Sequence, residues 1–277
     1  MHNHPVPDTL PHYSLGATDA ELRRLVALAS HEGDRVIEAA ARANIGAGAT
    51  VLDLGCGPLG ALAALASVVG PHGTVIGVDA SASAVEKARS LLPHVRVVQA
   101  DVNELSLAQL DLAAGADMAY CRLMLLHQRD PERTLRQMAT LLRPGGAVVA
   151  HEPSDLPMHA PASEPEVPAM TRVWELVIAA ARARGASTDF ARRGKEYLER
   201  AGLTVESHRA YVVHYPPEIG YEIPRTALAS LRPVLTEHGL ADEAEIARLD
   251  RELDDAKNRA DVQWVSSPLM IEWIARK

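Results

Sequence analysis

Val51-Leu52-Asp53-Leu54-Gly55-Cys56-Gly57-Pro58-Leu59-Gly60 changes character halfway along. Its first half belongs to an apolar, β-branched run from Thr50 to Leu54. Its second half holds three glycines and a proline, and an Ala- and Leu-rich stretch up to Val69 follows. The pattern predicts a strand, a tight turn and a helix over roughly Gly60–Val69. Gly55, Gly57 and Gly60 fit the spacing GxGxxG, which lets backbone bend sharply and approach a ligand.

Working outward, the same alternation repeats. Strands are predicted at Thr74–Val78, Val95–Gln99, Met118–Cys121 and Ala147–His151. Between them lie helices at Ala82–Leu92 and Pro131–Leu142 and a short helix or turn at Glu104–Leu110. Arg143-Pro144-Gly145-Gly146 reads as a turn before the fifth strand. This order implies a parallel sheet with helical crossovers. Upstream, residues 1–17 read as an irregular arm. Thr18-x-x-Glu21 forms a capping box for a helix, and Gly33 is expected to break it, with Asp34 capping a second. Downstream, five prolines between 153 and 168 mark a loop. Helices follow at Met170–Ala181, Asp189–Ala201, Arg225–Glu237 and Asp242–Ala260, with strands at Val205–Tyr215 and Pro268–Ala275. The division expected is a helical arm (1–44), a ligand-binding core (45–155) and a helical lid with closing elements (156–277).

Composition narrows the function. The chain has 277 residues, and 28 Lys and Arg against 36 Asp and Glu leave a net charge of −8. That balance argues against general nucleic-acid binding. No apolar run is long enough for a spanning helix. Two cysteines make no disulfide framework. The first residues lack a secretory pattern, so a cytoplasmic protein with reduced thiols is expected.

Asp79 closes the second strand 19 residues after Gly60, placed for a carboxylate that accepts both hydroxyls of a ribose. A pyrophosphate would favour the helix N-terminus beyond the glycines, but Asp53 sets a carboxylate beside that loop. The acid better suits a cation-bearing ligand. Asp101-Val102 ends the third strand, where an acid and an amide can meet adenine. Together these favour S-adenosylmethionine over a dinucleotide.

At these residues the chain resembles the class I S-adenosylmethionine-dependent methyltransferases. Val51–Pro58 resembles their motif I, Val75–Asp79 motif II, Gln99–Val102 motif III, and Asp117–Arg122 motif IV. Leu141–Gly146 resembles the turn before strand five. Tyr13-x-Leu15-Gly16 and Ser267-Pro268-Leu269-Met270 are similar to a bacterial small-molecule branch, which implies a place in secondary metabolism. The resemblance implies an α/β, Rossmann-like sheet of seven strands, mostly parallel, with an antiparallel last strand and helical lid insertions. It implies cofactor contacts at Asp53, Gly55, Cys56, Gly57, Asp79, Ala80, Asp101, Val102, and the backbone of Cys121 and Arg122, with Tyr13 folding over the methionine end.

For catalysis, His127 and His151 are predicted at the strand ends, and Glu152 adjoins His151. They are the candidates for a general base or for substrate contact. No third ligand accompanies His151 and Glu152, so no metal is expected. Cys56 reads as a small filler of the turn. The reading is methyl transfer to O, N or C of a small organic acceptor, without nucleic acid or membrane, by a chain that forms a homodimer if it assembles. The alternative is a cofactor-binding homologue that catalyses a cyclisation or rearrangement; an NAD-dependent oxidoreductase ranks lower.

Overall fold

A computed structural model describes residues 19–155 and 166–277. Five strands alternate with helices as the sequence requires: β1 (Thr50–Leu54), α2 (Leu62–Val69), β2 (Thr74–Asp79), α3 (Ala82–Leu91), β3 (Arg96–Gln99), β4 (Ala116–Arg122), α4 (Pro131–Thr140) and β5 (Leu142–Pro153), all preceded by α1 (Asp19–Arg42). Then come α5 (Pro168–Ala183), α6 (Phe190–Arg200), β6 (Thr204–Tyr211), β7 (His214–Tyr215), the single turn α7 (Pro217–Gly220), α8 (Glu222–Glu237), α9 (Glu243–Lys257), β8 (Val265–Ser266) and β9 (Met270–Arg276). Seven strands form one sheet in the order β3-β2-β1-β4-β5-β9-β6, and β9 runs antiparallel to both β5 and β6. The expected Rossmann-like sheet with an antiparallel last strand is the observed one. Strand order reverses between β1 and β4, the crevice where open α/β sheets bind ligands.

Alternation along each strand divides the core. Leu52, Leu54, Ala119, Cys121, Val148 and Ala150 face one side with Phe190 and Leu198 of α6. Val51, Met118, Tyr120, Val149 and Ile274 face the other, under Val36, Ala39 and Ala40 of α1 and Leu62 and Leu65 of α2. A third cluster joins α5, α8 and α9 through Val173, Leu228, Leu231 and Leu249.

Three local expectations are corrected. α1 runs unbroken through Gly33 for 24 residues. A glycine inside a helix costs about 1 kcal/mol; burial of Val36, Ala39, Ala40 and Ala43 outweighs that. The Arg143–Gly146 segment lies within β5 as an irregularity, for Ala116 pairs with Leu142 but Met118 pairs with Ala147. Left-handed Gly145 (φ 77°) permits the excursion. The strand expected at Val205–Tyr215 is two. β6 ends at Tyr211, Val213 exchanges hydrogen bonds with Ser267, and β7 pairs with β8 in a separate ribbon. Tyr13 and the cap at Thr18 lie outside the described residues.

Candidate active site

The glycine loop is built from its backbone. Gly55, Gly57 and Gly60 all have positive φ (71°, 57° and 51°). The Gly55 and Cys56 amides both donate to Val78 O, at 2.8 and 3.0 Å, which bends the loop toward β2. A Cβ on Gly60 would stand 2.5 Å from Asp53 Oδ2 and 2.4 Å from Cys56 O, so no side chain fits. A Cβ on Gly55 would stand 2.6 Å from Met124 Cγ. From above, Leu25 of α1 lies over Gly57, 3.6 Å from where its Cβ would be. Through Leu25, α1 therefore covers the loop.

Two carboxylates fix the loop. Asp53 Oδ2 accepts from Ala61 N at 2.7 Å, at the entry to α2. Asp53 is buried, and burial pushes its carboxyl up to about 7 against the pull of that amide and of Arg122. Asp79 accepts from Gly57 N at 2.8 Å and Ser81 N at 2.9 Å, tying the loop to the start of α3. Burial raises its pKa also. Asp53 thus occupies a helix-entry amide that a pyrophosphate would need.

The remaining cofactor candidates surround this loop. Ala80 is buried, and its carbonyl accepts from Gln99 Nε2. Asp101 Oδ1 accepts from the backbone and side-chain nitrogens of Asn103, capping the 3-10 turn Val102–Glu104. Its Oδ2 carries no hydrogen bond among the described residues. Val102 packs its side chain into the core, leaving its backbone as the functional part. Cys56 sits over Gly77, whose Cβ would lie 3.0 Å from its sulfur. Cys56 and Cys121 are both free and buried, and burial raises both thiols.

The catalytic candidates are not side by side at an open rim. Successive residues of a strand point to opposite faces, so His151 and Glu152 part company. His151 is wholly buried on the α1 side. Tyr211 Oη lies 2.9 Å from its Nδ1 and Glu272 Oε2 lies 3.3 Å from its Nε2. Burial lowers its pKa, favouring the neutral ring. Glu272 is paired in turn with Arg42 of α1. Glu152 is wholly buried on the other face. Its Oε1 accepts from Met124 N and Leu125 N at 2.9 and 2.8 Å, and its Oε2 accepts from Leu126 N at 3.2 Å. Burial raises its pKa to about 7, opposed by those amides. Glu152 therefore fixes the loop after β4, including left-handed Leu123 (φ 55°) and the Met124 that covers Gly55. His127 lies in the same loop, on the 3-10 turn Leu125–His127, and is buried.

Arg122, expected to act through its backbone, has a buried side chain as well. Its Nη1 meets Glu32 Oε2 of α1 at 2.9 Å. Tyr215 Oη donates to the other oxygen of Glu32 at 3.0 Å. Sequence reading missed Glu32, Tyr120, Tyr211, Tyr215 and Glu272. Only strand parity could have signalled Tyr120, which shares a face with Arg122. Among the described residues, no group of three His, Cys, Asp or Glu is placed to hold a metal ion, and no helix is long and apolar enough to cross a membrane.

Residues 45–202 match a family model described as a methyltransferase domain. A trans-aconitate 2-methyltransferase of Azoarcus sp. (strain BH72) is 34% identical over 145 residues, covering 52% of this chain and 53% of that protein. The first three curated relatives are spanned over 30%, 53% and 65% of their lengths. The cyclopropane synthase MmaA2 from Mycobacterium tuberculosis shares the fold at a TM-score of 0.56 and 13% identity, covering 98% of this chain and 97% of that one. The [4+2]-cyclase SpnF shares it at 0.52 and 20%, covering 88% and 81%.

Proposed function

Because the chain belongs to the methyltransferase-domain family, we propose that it transfers a methyl group from S-adenosylmethionine to a small organic acceptor. The observation that carries this reading is the pair of carboxylates around the glycine loop. Asp53 already satisfies the amide at the entry to α2, which disfavours pyrophosphate and suits a ligand bearing a positive charge.

The residues divide the binding task. Asp79 is placed to accept the ribose hydroxyls, and Asp101 Oδ2 the adenine amine, with the Val102 amide beside the ring. Ala80 and Cys56 wall the nucleoside end. Gly55 and Gly57 give close backbone approach to the methionine end, and the Cys121–Arg122 backbone borders it. The cofactor, when bound, supplies an electrophilic methyl whose C–S electron pair stays with sulfur as the acceptor bond forms. What the protein adds is alignment of the acceptor and exclusion of water. The α5, α8 and α9 helices would form the lid that shapes the acceptor pocket. Among the described residues, Asp155 ties the end of β5 to α5 and α6 by ion pairs with Arg182 and Arg192.

His151 and Glu152 are both engaged in the fold, which favours an acceptor needing no general base, such as a carboxylate oxygen. His127 is kept as a candidate acceptor contact. The Azoarcus relative's name places trans-aconitate first among acceptors to assay. The test incubates purified protein with S-adenosylmethionine and acceptor and reads product mass. A gain of one CH2 with formation of S-adenosylhomocysteine supports methyl transfer. Conversion without mass gain would favour cyclisation or rearrangement, and binding of NAD alone would make hydride transfer the leading reading.

A further inference from the structure

Four polar atoms without a directed hydrogen bond gather beneath α1: Glu32 Oε2, Tyr120 Oη, Arg122 Nη1 and His151 Nε2. Tyr120, Arg122 and His151 share one face at the carboxyl ends of β4 and β5. Arg122 pairs with His151 in register, and the Tyr120 and His151 rings stand 5.2 Å apart. Glu32 enters from the helix above, and its whole side chain is about 3% exposed. A buried guanidinium is expensive unless a carboxylate meets it, and a guanidinium with a phenol O–H is a donor set suited to a carboxylate. Here the carboxylate belongs to the chain itself, carried on the helix that roofs the glycine loop.

We propose that Arg122 and Tyr120 form the receptor for a carboxylate of the acceptor, and that Glu32 is a built-in occupant which the acceptor displaces. This rests on the methyl-transfer reading for the role of the ligand, but not for its binding. The site lies beside the loop: the Arg122 Nη2 group points at Gly60 O, 3.5 Å away. An acid held there has its charge fixed next to the methionine end of the cofactor. Tyr215 holds Glu32 in place when no acid is present, so displacement of Glu32 also loosens the roof.

The experiment titrates trans-aconitate and its trimethyl ester, by calorimetry, into cofactor-free wild type, Glu32→Gln and Tyr120→Phe. Glu32→Gln is expected to bind the acid at least tenfold more tightly than wild type, and the ester is expected to bind none of the three. Tyr120→Phe removes a hydroxyl with no partner, so it should keep the melting temperature and the S-adenosylhomocysteine affinity while weakening acid binding severalfold. Acid binding by Glu32→Gln no tighter than wild type overturns the proposal. So does ester binding equal to the acid, or, should Glu32→Gln fail to fold, unchanged acid binding by Tyr120→Phe. Acid binding in this pattern, with no methylated product when S-adenosylmethionine is then added to the same proteins, would defeat the methyl-transfer reading and leave the receptor standing.

Discussion

Titrating Asp53 should make cofactor binding depend on pH. Burial holds its carboxyl at about 7, so near neutrality it is part protonated in the free protein. A sulfonium and an ammonium beside it favour the carboxylate form. Binding therefore requires the proton to leave, and affinity rises with pH until Asp53 is fully ionised. With an apo value of about 7, the ionised fraction goes from roughly 0.09 at pH 6.0 to roughly 0.76 at pH 7.5, by the relation between pKa and free energy. Affinity should then rise about eightfold, or about 1.2 kcal/mol. That window ends below the titration of the cofactor's amine, near ~7.7–8.0. The assay is calorimetric titration with S-adenosylmethionine at both pH values, in two buffers of different ionisation enthalpy to count the released proton. Asp53→Asn should bind more weakly and lose the slope. A flat wild-type affinity, or a slope that survives in Asp53→Asn, would refute the assignment of Asp53 to a cationic ligand.

Four further outcomes follow from side-chain contacts. Gly60→Ala should lower both melting temperature and cofactor affinity, since its Cβ would stand within 2.5 Å of Asp53 Oδ2; unchanged values for both would contradict the loop geometry. Glu152→Ala strands three buried amides, at about 1–3 kcal/mol each, so urea unfolding should report a loss of about 3 kcal/mol or more. Because the native pKa of Glu152 is raised to about 7, its proton-linked stability is complete below the ordinary carboxylate range and fades as pH rises through 7. Glu152→Gln should flatten that decline, and an unchanged pH profile of stability would count against it. Trp174, half-buried on α5 against the third cluster, tests the lid: Trp174→Ala should weaken acceptor affinity far more than cofactor affinity, and equal losses would remove the lid role.

The glycine loop was legible because its requirements are local. Gly60 must lack a Cβ, Asp79 must end β2, and both demands fall on residue types at fixed spacing. The parallel pairing of the first five strands followed for the same reason, since strands alternating with helices need crossover connections. The continuity of α1 was not legible. Gly33 carries a local penalty of about 1 kcal/mol, and the compensation comes from apolar contacts with a sheet that begins eight residues after the helix ends.

The catalytic pair shows a different limit. His151 and Glu152 adjoin in sequence, but the two-residue period of the strand separates them. Parity alone sends one toward α1 and the other toward the loop after β4. The consequence is chemical: His151 is held between Tyr211 and Glu272 beneath α1, and Glu152 accepts from three amides of the loop after β4. Arg122, which reaches Gly60 O of the glycine loop, and Tyr120 share the parity of His151. Glu32, the partner of Arg122, lies 90 positions before it, and Tyr215 lies 183 positions after Glu32. No periodicity or motif spacing connects such residues, because only the folded sheet and the helix laid over it bring their charges into contact. A polar cluster assembled from three distant segments is also one whose parts separate when the helix moves. On the receptor proposed above, an acceptor's carboxylate would be recognised by the same Arg122 that holds Glu32 of α1.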